Sequence, residues 1–140
     1  MIADLPRYPT WLPASGEYAS TTGVEPYPVR LGSRYHDGRT GEPGKDWWGS
    51  VTGFQRPGSL DFHHAITVSA ARATVEVNIH YAFEAAEDQQ TDVSRWLLLT
   101  ITMPVLLLPA RRVIVSRFDR ENVRTMRAVE AHFPADGTGG

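Results

Sequence analysis

The sequence predicts an α+β domain in which a curved antiparallel β-sheet wraps around one long C-terminal α-helix. Three observations carry this. Within Ala110 to Phe133, the residues Val115, Phe118, Met126, Val129 and Phe133 recur at spacings of three and four. That period lays an apolar stripe along a helix, interrupted here by Asn122. Between Ala73 and Glu84, Val75, Val77, Ile79, Tyr81 and Phe83 alternate with Thr74, Glu76, Asn78, His80 and Glu84, the period of a strand with one covered face. The strand-like segments follow one another through short turns and the helix comes last, which is the order of an antiparallel meander with its helix on one face.

Taken in order, Asp4 to Pro13 holds three prolines and admits a single helical turn at most. Gly16 to Thr22 alternates weakly and is assigned a strand. Val29 to Tyr35 alternates more clearly and is assigned another. Asp37 to Lys45, with three glycines and one proline, reads as a loop. Trp47 to Phe54 resumes a strand, Arg56 to Ser59 turns, and Leu60, Phe62, His64, Ile66 and Val68 then share one strand face. After Ala73 to Glu84, an acidic connection leads to Thr91 to Met103. There Val93, Arg95, Leu97, Leu99, Ile101 and Met103 share one face, while Trp96 and Leu98 make the other apolar too. Cover on both sides is therefore expected at the middle of this strand. Pro109 suits the first turn of the helix, and Pro134 and Gly137 stop it. Residues 1–134 form one domain, and 135–140 are expected to be a disordered tail.

Composition narrows the function. A chain of 140 residues buries a core without staples, and it contains no cysteine, which removes disulfides and thiolate chemistry. Fourteen basic residues against 16 acidic ones give a net charge of −2, with Lys45 the lone lysine. That balance does not favour nucleic acid. The start of the chain lacks the basic and apolar regions of a signal peptide, and no apolar run is long enough to span a bilayer. A cytoplasmic protein with no integral membrane association is expected. His63 and His64 point to opposite faces of a strand and do not chelate one ion together, so no metal and no cofactor is expected. No Gly-x-Ser-x-Gly frames a serine nucleophile, and no phosphate-binding glycine loop opens a helix. Acidic residues Asp119, Glu121 and Glu130 interleave with the helix arginines, as on a solvated face rather than an RNA-binding stripe.

Six short patterns occur in a suggestive order: Asp4, Tyr8, Pro9 and Trp11; Gly32-Ser-Arg-Tyr35; Pro57-Gly58; Tyr81-x-Phe-Glu84; Thr91-x-Val-x-Arg95; and Phe118-x-x-Glu-Asn-x-x-Thr-Met126. Together they resemble the SRPBCC superfamily, the START-related, polyketide cyclase and lipid-transport group, over Asp4 to about Phe133. The resemblance implies a helix-grip fold, a seven-stranded sheet curled around the C-terminal helix with an apolar cavity between them. Members of this group begin with a strand and a helix upstream of the Asp-x-x-x-Tyr-Pro-x-Trp segment, inside which this chain starts. It follows that the first strand is expected to be missing. The edge along Thr91 to Met103 would then stand open, where two copies could pair.

On that fold the cavity would receive Ile79, Tyr81 and Leu97, with Val77 and Leu99 beside them. Phe62, Phe118 and Met126 would be further walls, and His64, Arg95 and Asn122 the polar groups. A mostly apolar pocket with a few convergent polar groups is the general form of a ligand site. Tyr81 and His64 have a plainer role open to them, as half-buried sheet residues reaching water or backbone. Arg95 has two as well: pairing with Glu84 or Asp119 at the rim, or touching a ligand. Asn122, an amide within an apolar stripe, needs a partner. The expected function is non-catalytic binding or carriage of a small hydrophobic molecule, lipid- or polyketide-like. The alternative is an enzyme similar to polyketide cyclases and aromatases, with Tyr81, His64, Tyr35 and Arg95 orienting substrate or moving protons.

Overall fold

The computed structural model describes residues 2–12, 15, 18, 20–38, 46–87 and 90–132. The far end of the expected helix at Phe133, its stops at Pro134 and Gly137, the tail 135–140 and most of the 37–45 loop lie outside the described residues. After a 3-10 turn at Leu5–Arg7 and one helical turn, α1 (Tyr8–Trp11), six strands follow: β1 (Ser20–Glu25), β2 (Arg34–Gly38), β3 (Asp46–Gln55), β4 (Ser59–Val68), β5 (Ala73–Ala85) and β6 (Thr91–Thr102). A 3-10 segment, Val105–Ala110, leads into the long helix α2 (Arg111–His132). All strand pairs are antiparallel, in the spatial order β1-β2-β3-β4-β5-β6. The architecture is α+β, a curved antiparallel sheet followed by a C-terminal helix. Among the described residues β6 pairs with β5 alone, so its outer edge is open.

The three strands with the cleanest alternation lie where the sequence puts them. Along β4, Leu60, Phe62, His64 and Ile66 are buried while their neighbours are not. Along β5, Val75, Val77 and Tyr81 are at most 2% exposed, with Ile79 half-buried between them. His63 and His64 point to opposite faces, the second buried and the first not.

The first two strands differ in extent from the alternation along the sequence. Of the expected strand Gly16 to Thr22, residues 16, 17 and 19 lie outside the described residues and 20–22 are strand; β1 runs on to Glu25 and carries a bulge between Thr22 and Glu25, with Gly23 at φ +60°. The expected strand Val29 to Tyr35 begins only at Arg34. Pro26 and Pro28 cannot donate to a ladder, and Gly32 sits at φ +84°, outside the strand region. That segment is held by local bonds instead. Ser33, fully buried, donates its hydroxyl to the Pro26 carbonyl at 2.8 Å and accepts from the Arg30 N–H at 3.0 Å. β2 then continues through Asp37 and Gly38, which the sequence assigns to a loop.

Three further expectations need correction. The buried face of α2 is Ile114, Thr125 and Val129, with Phe118, Asn122 and Met126 half-buried, whereas Val115 is 38% exposed. The helix is rotated from the expected stripe because Thr125 and Ile114 occupy the same i, i+4 and i+7 lattice as the apolar row and pack inward. Trp96 and Leu98 are not covered on their side of β6 but 51% and 64% exposed. The ring of Trp96 lies against His80 at 4.1 Å on the outer face, where no second layer sits among the described residues. Arg95 pairs with neither Glu84 nor Asp119 but donates to the Asn122 side chain.

The buried apolar residues of α2 lie near its two ends, while Asn122 at its middle accepts from Arg95 of β6. Ile114 joins Ile66, Ala73, Val75 and Val77 in one apolar cluster. Val129 joins Leu5, Tyr8, Trp11 and Leu12 in another, and Trp11 lies 6.4 Å from the His132 ring. Burying a side chain of the size of Ile114 contributes roughly 1.5–3 kcal/mol, which anchors the first turns of the helix on the sheet. No described helix is long and apolar enough to cross a membrane.

Candidate functional site

Between those two anchors lies a cavity of about 180 Å³. Its floor is the inner face of the sheet: Phe62, His64 and Ile66 from β4, Val77, Ile79 and Tyr81 from β5, and Arg95 and Leu97 from β6. Its roof is Ile114, Phe118, Asn122 and Thr125 of α2, and Leu5, Tyr8 and Leu12 close one end. Of the residues expected from the sequence, Tyr35, Phe62, His64, Ile79, Tyr81, Arg95, Leu97, Phe118 and Asn122 all line this cavity. Met126 does not: it lies half-buried beside Thr125, which takes the inward place.

Polar groups gather at two places in this apolar surround. The first depends on a missing side chain. Tyr35, Gly49 and His64 lie in one row across β2, β3 and β4. With no side chain at Gly49, the Tyr35 ring lies over that position, and its hydroxyl reaches His64 Nε2 at 2.8 Å. A Cβ built on residue 49 would come 2.3 Å from Tyr35 Cζ. The opposite ring nitrogen, Nδ1, faces Asp37 Oδ2 at 3.6 Å. The other carboxylate oxygen accepts from the Thr21 hydroxyl at 2.7 Å, and Thr21 Oγ1 lies 3.1 Å from the Tyr18 hydroxyl. Hydrogen bonds thus join Tyr18, Thr21 and Asp37 on one side and His64 and Tyr35 on the other, and the 3.6 Å Asp37–His64 contact, longer than a hydrogen bond, lies between the two groups.

Burial dominates the titration of these residues. It pushes the Asp37 carboxyl up to about 7, against the hydrogen bond from Thr21. It pulls His64 down to about 4, with His63 and Arg95 adding in the same direction. Tyr35 is raised well above an ordinary phenol, first by burial and then by Asp37, and Tyr18 is pushed up to about 12, chiefly by burial. Desolvation penalises whichever form is charged. Between the two values the Asp37–His64 pair therefore holds one proton. Placed on Asp37, that proton leaves a neutral pair; placed on His64, it makes an ion pair. Such an arrangement can hold a polar ligand group and pass a proton to or from it.

The second polar place is at β6. Arg95 donates to Asn122 Oδ1, and its guanidinium carbon lies 5.4 Å from the centre of the Tyr81 ring. Its Nε is buried without a hydrogen-bond partner. The phenol of Tyr81 is raised by burial, with Arg95 pulling the other way. Aromatic edges wall the space between the two places: Phe62 meets Tyr35 at 5.7 Å and Tyr81 at 6.1 Å, both near perpendicular.

Sequence reasoning missed Asp37, Thr21, Tyr18 and Tyr8. For Asp37 a signal was there, since it follows Tyr35 by two and shares its strand face, but the glycines after it suggested a loop. Tyr8, which donates to the Ile2 carbonyl at 2.7 Å, comes from a segment too irregular to place by periodicity. Among the described residues no three His, Asp or Glu side chains are grouped to hold a metal ion. No family model matches this chain, and neither does any curated protein or solved structure.

Proposed function

We propose that this chain binds or carries a small hydrophobic molecule, lipid- or polyketide-like, in the cavity between the sheet and α2, as a cytoplasmic helix-grip protein of the SRPBCC kind. The observation that carries this is the cavity itself: about 180 Å³, walled largely by apolar side chains, with a few polar groups converging on it. Ligand sites have that composition. The volume limits the guest, since a cavity of about 150 Å³ accepts a benzene ring. The test is a thermal-shift screen of the purified protein against small apolar compounds, followed by native mass spectrometry of any that act. A bound ligand at a hundred times its dissociation constant stabilises by about 2.7 kcal/mol, which raises Tm by several degrees. A screen in which nothing moves Tm would sink the proposal.

A second possibility, a polyketide cyclase-like enzyme acting in the same cavity, is favoured by one observation, the hydrogen-bonded Tyr35–His64 pair with the Asp37 carboxyl 3.6 Å from the imidazole. Groups able to relay a proton beside an apolar pocket suit acid–base chemistry on a bound carbonyl compound. Conversion of a bound poly-β-ketone surrogate that Tyr35→Phe abolishes would favour the enzyme. We also propose that the open edge of β6 pairs with a second copy, which sedimentation over a range of concentrations reads directly.

A further inference from the structure

We infer that the cavity selects a small hydrophobic acid, its carboxylate held at Arg95 and its apolar part lying against Ile79, Leu97 and Phe118. This deepens the proposed function and rests on it. The starting point is a charge without a counter-charge. A guanidinium keeps its charge in any environment and presents five N–H donors in one plane. In this structure Arg95 is half-buried, with donors on the neutral amide oxygen of Asn122 and the neutral hydroxyl of Tyr81, and its Nε buried and unpaired. Among the described residues no carboxylate pairs with it. The two carboxylates that share the cavity are committed elsewhere: Glu121 to Arg124 at 2.8 and 3.0 Å, and Asp37 to Thr21 and His64.

A buried donor without an acceptor is destabilising, and a desolvated charge without a partner is more so. A ligand carboxylate supplies both missing elements, two acceptor oxygens and one negative charge, in the planar geometry that guanidinium binds best. An alcohol or an ester of the same chain supplies neither the charge nor the second strong acceptor. The Tyr81 hydroxyl, hydrogen-bonded to the guanidinium, lies beside the same point, and the Asn122 amide, which also holds the guanidinium, has N–H donors to offer a carboxylate. Size sets the remainder. With about 180 Å³ available, the apolar part is a single ring or a chain of roughly six to eight carbons.

The experiment compares sodium octanoate with 1-octanol on the wild-type protein by isothermal titration calorimetry, then repeats both on Arg95→Met. Octanoate is expected to bind at least tenfold more tightly than octanol to the wild type. Arg95→Met should erase that difference by weakening octanoate and leaving octanol where it was. Equal binding of the two probes by the wild type overturns the inference while leaving the hydrophobic binding function intact. Binding of neither overturns both. Because the wild-type comparison alone decides the matter, the outcome does not depend on whether Arg95→Met folds. The variant adds the identity of the residue: a preference for octanoate that survives in folded Arg95→Met would place the carboxylate elsewhere.

Discussion

The Asp37–His64 pair makes the stability of the protein respond to pH in a way that two single substitutions should expose. Asp37 rises from an ordinary 3.8 to about 7, so its contribution to stability is fully present below pH 3.8 and is lost as the pH climbs through 7. His64 falls from 6.5 to about 4, so its contribution is fully present above pH 6.5 and is lost as the pH drops through 4. Each tenfold change in proton affinity is about 1.4 kcal/mol. Asp37 alone then removes at most about 4 kcal/mol on going from pH 4 to 7. His64 alone adds at most about 3 kcal/mol over the same span. These are upper limits, since the 3.6 Å contact stabilises the ion-paired form and works against both shifts. In the wild type the two slopes oppose each other, and the pair contributes a nearly flat profile. Asp37→Asn leaves the His64 contribution unopposed, and stability should then rise by up to about 3 kcal/mol from pH 4 to 7. His64→Gln leaves the Asp37 contribution unopposed, and stability should fall by up to about 4 kcal/mol over the same range. Urea unfolding of the three proteins at half-unit pH intervals reads this, with every other titrating group common to all. Profiles for both variants that run parallel to the wild type would show that neither group is perturbed as the geometry requires.

Other substitutions test the packing. Ile114→Ala should destabilise by about 2–4 kcal/mol in urea unfolding, because it empties the anchor under the first turns of α2, while Val115→Ala should change stability by less than about 0.5 kcal/mol. Equal effects would mean that the helix presents a different face. Gly49→Ala should destabilise by about 1–3 kcal/mol and alter the near-ultraviolet circular dichroism of the tyrosines, because the added methyl displaces the Tyr35 ring from His64. A Gly49→Ala protein with wild-type spectrum and stability would contradict that packing.

How much of this was legible in the sequence depended on which physical signal each residue carries. β4, β5 and β6 were legible because one of their faces is covered and the other is not, and alternation encodes that directly. β2 was not, since the alternation of Val29 to Tyr35 continues through residues whose prolines and left-handed glycine keep them out of the ladder. Asp37 was lost with it. The stripe on α2 was legible as a helix but one position off in rotation. Ile114 and Val115 satisfy the same spacings, and the polar Thr125 gave no hint that it faces inward by bonding its hydroxyl to the Glu121 carbonyl at 2.8 Å. Trp96 and Leu98 misled for the opposite reason, because large apolar side chains do occur on uncovered faces. Most of the cavity lining was readable, since strand parity alone decides which residues face inward. The hydrogen bonds among them were not, because they depend on distances between strands that no spacing along the chain specifies.

The strict succession of the strands carries a consequence for how the molecule is made. Every strand is hydrogen-bonded to its neighbour in the chain, so the sheet can close hairpin by hairpin, each step spanning a short loop and closing fast. α2 is the exception: Val129 near its end packs against Leu5, Tyr8 and Trp11 from the beginning of the chain. That closure spans nearly the whole sequence and cannot occur until the last turns of the helix have left the ribosome. On a growing chain the apolar inner face is therefore assembled before its cover exists. The nascent sheet then meets water, chaperones or a hydrophobic guest before it meets its own helix.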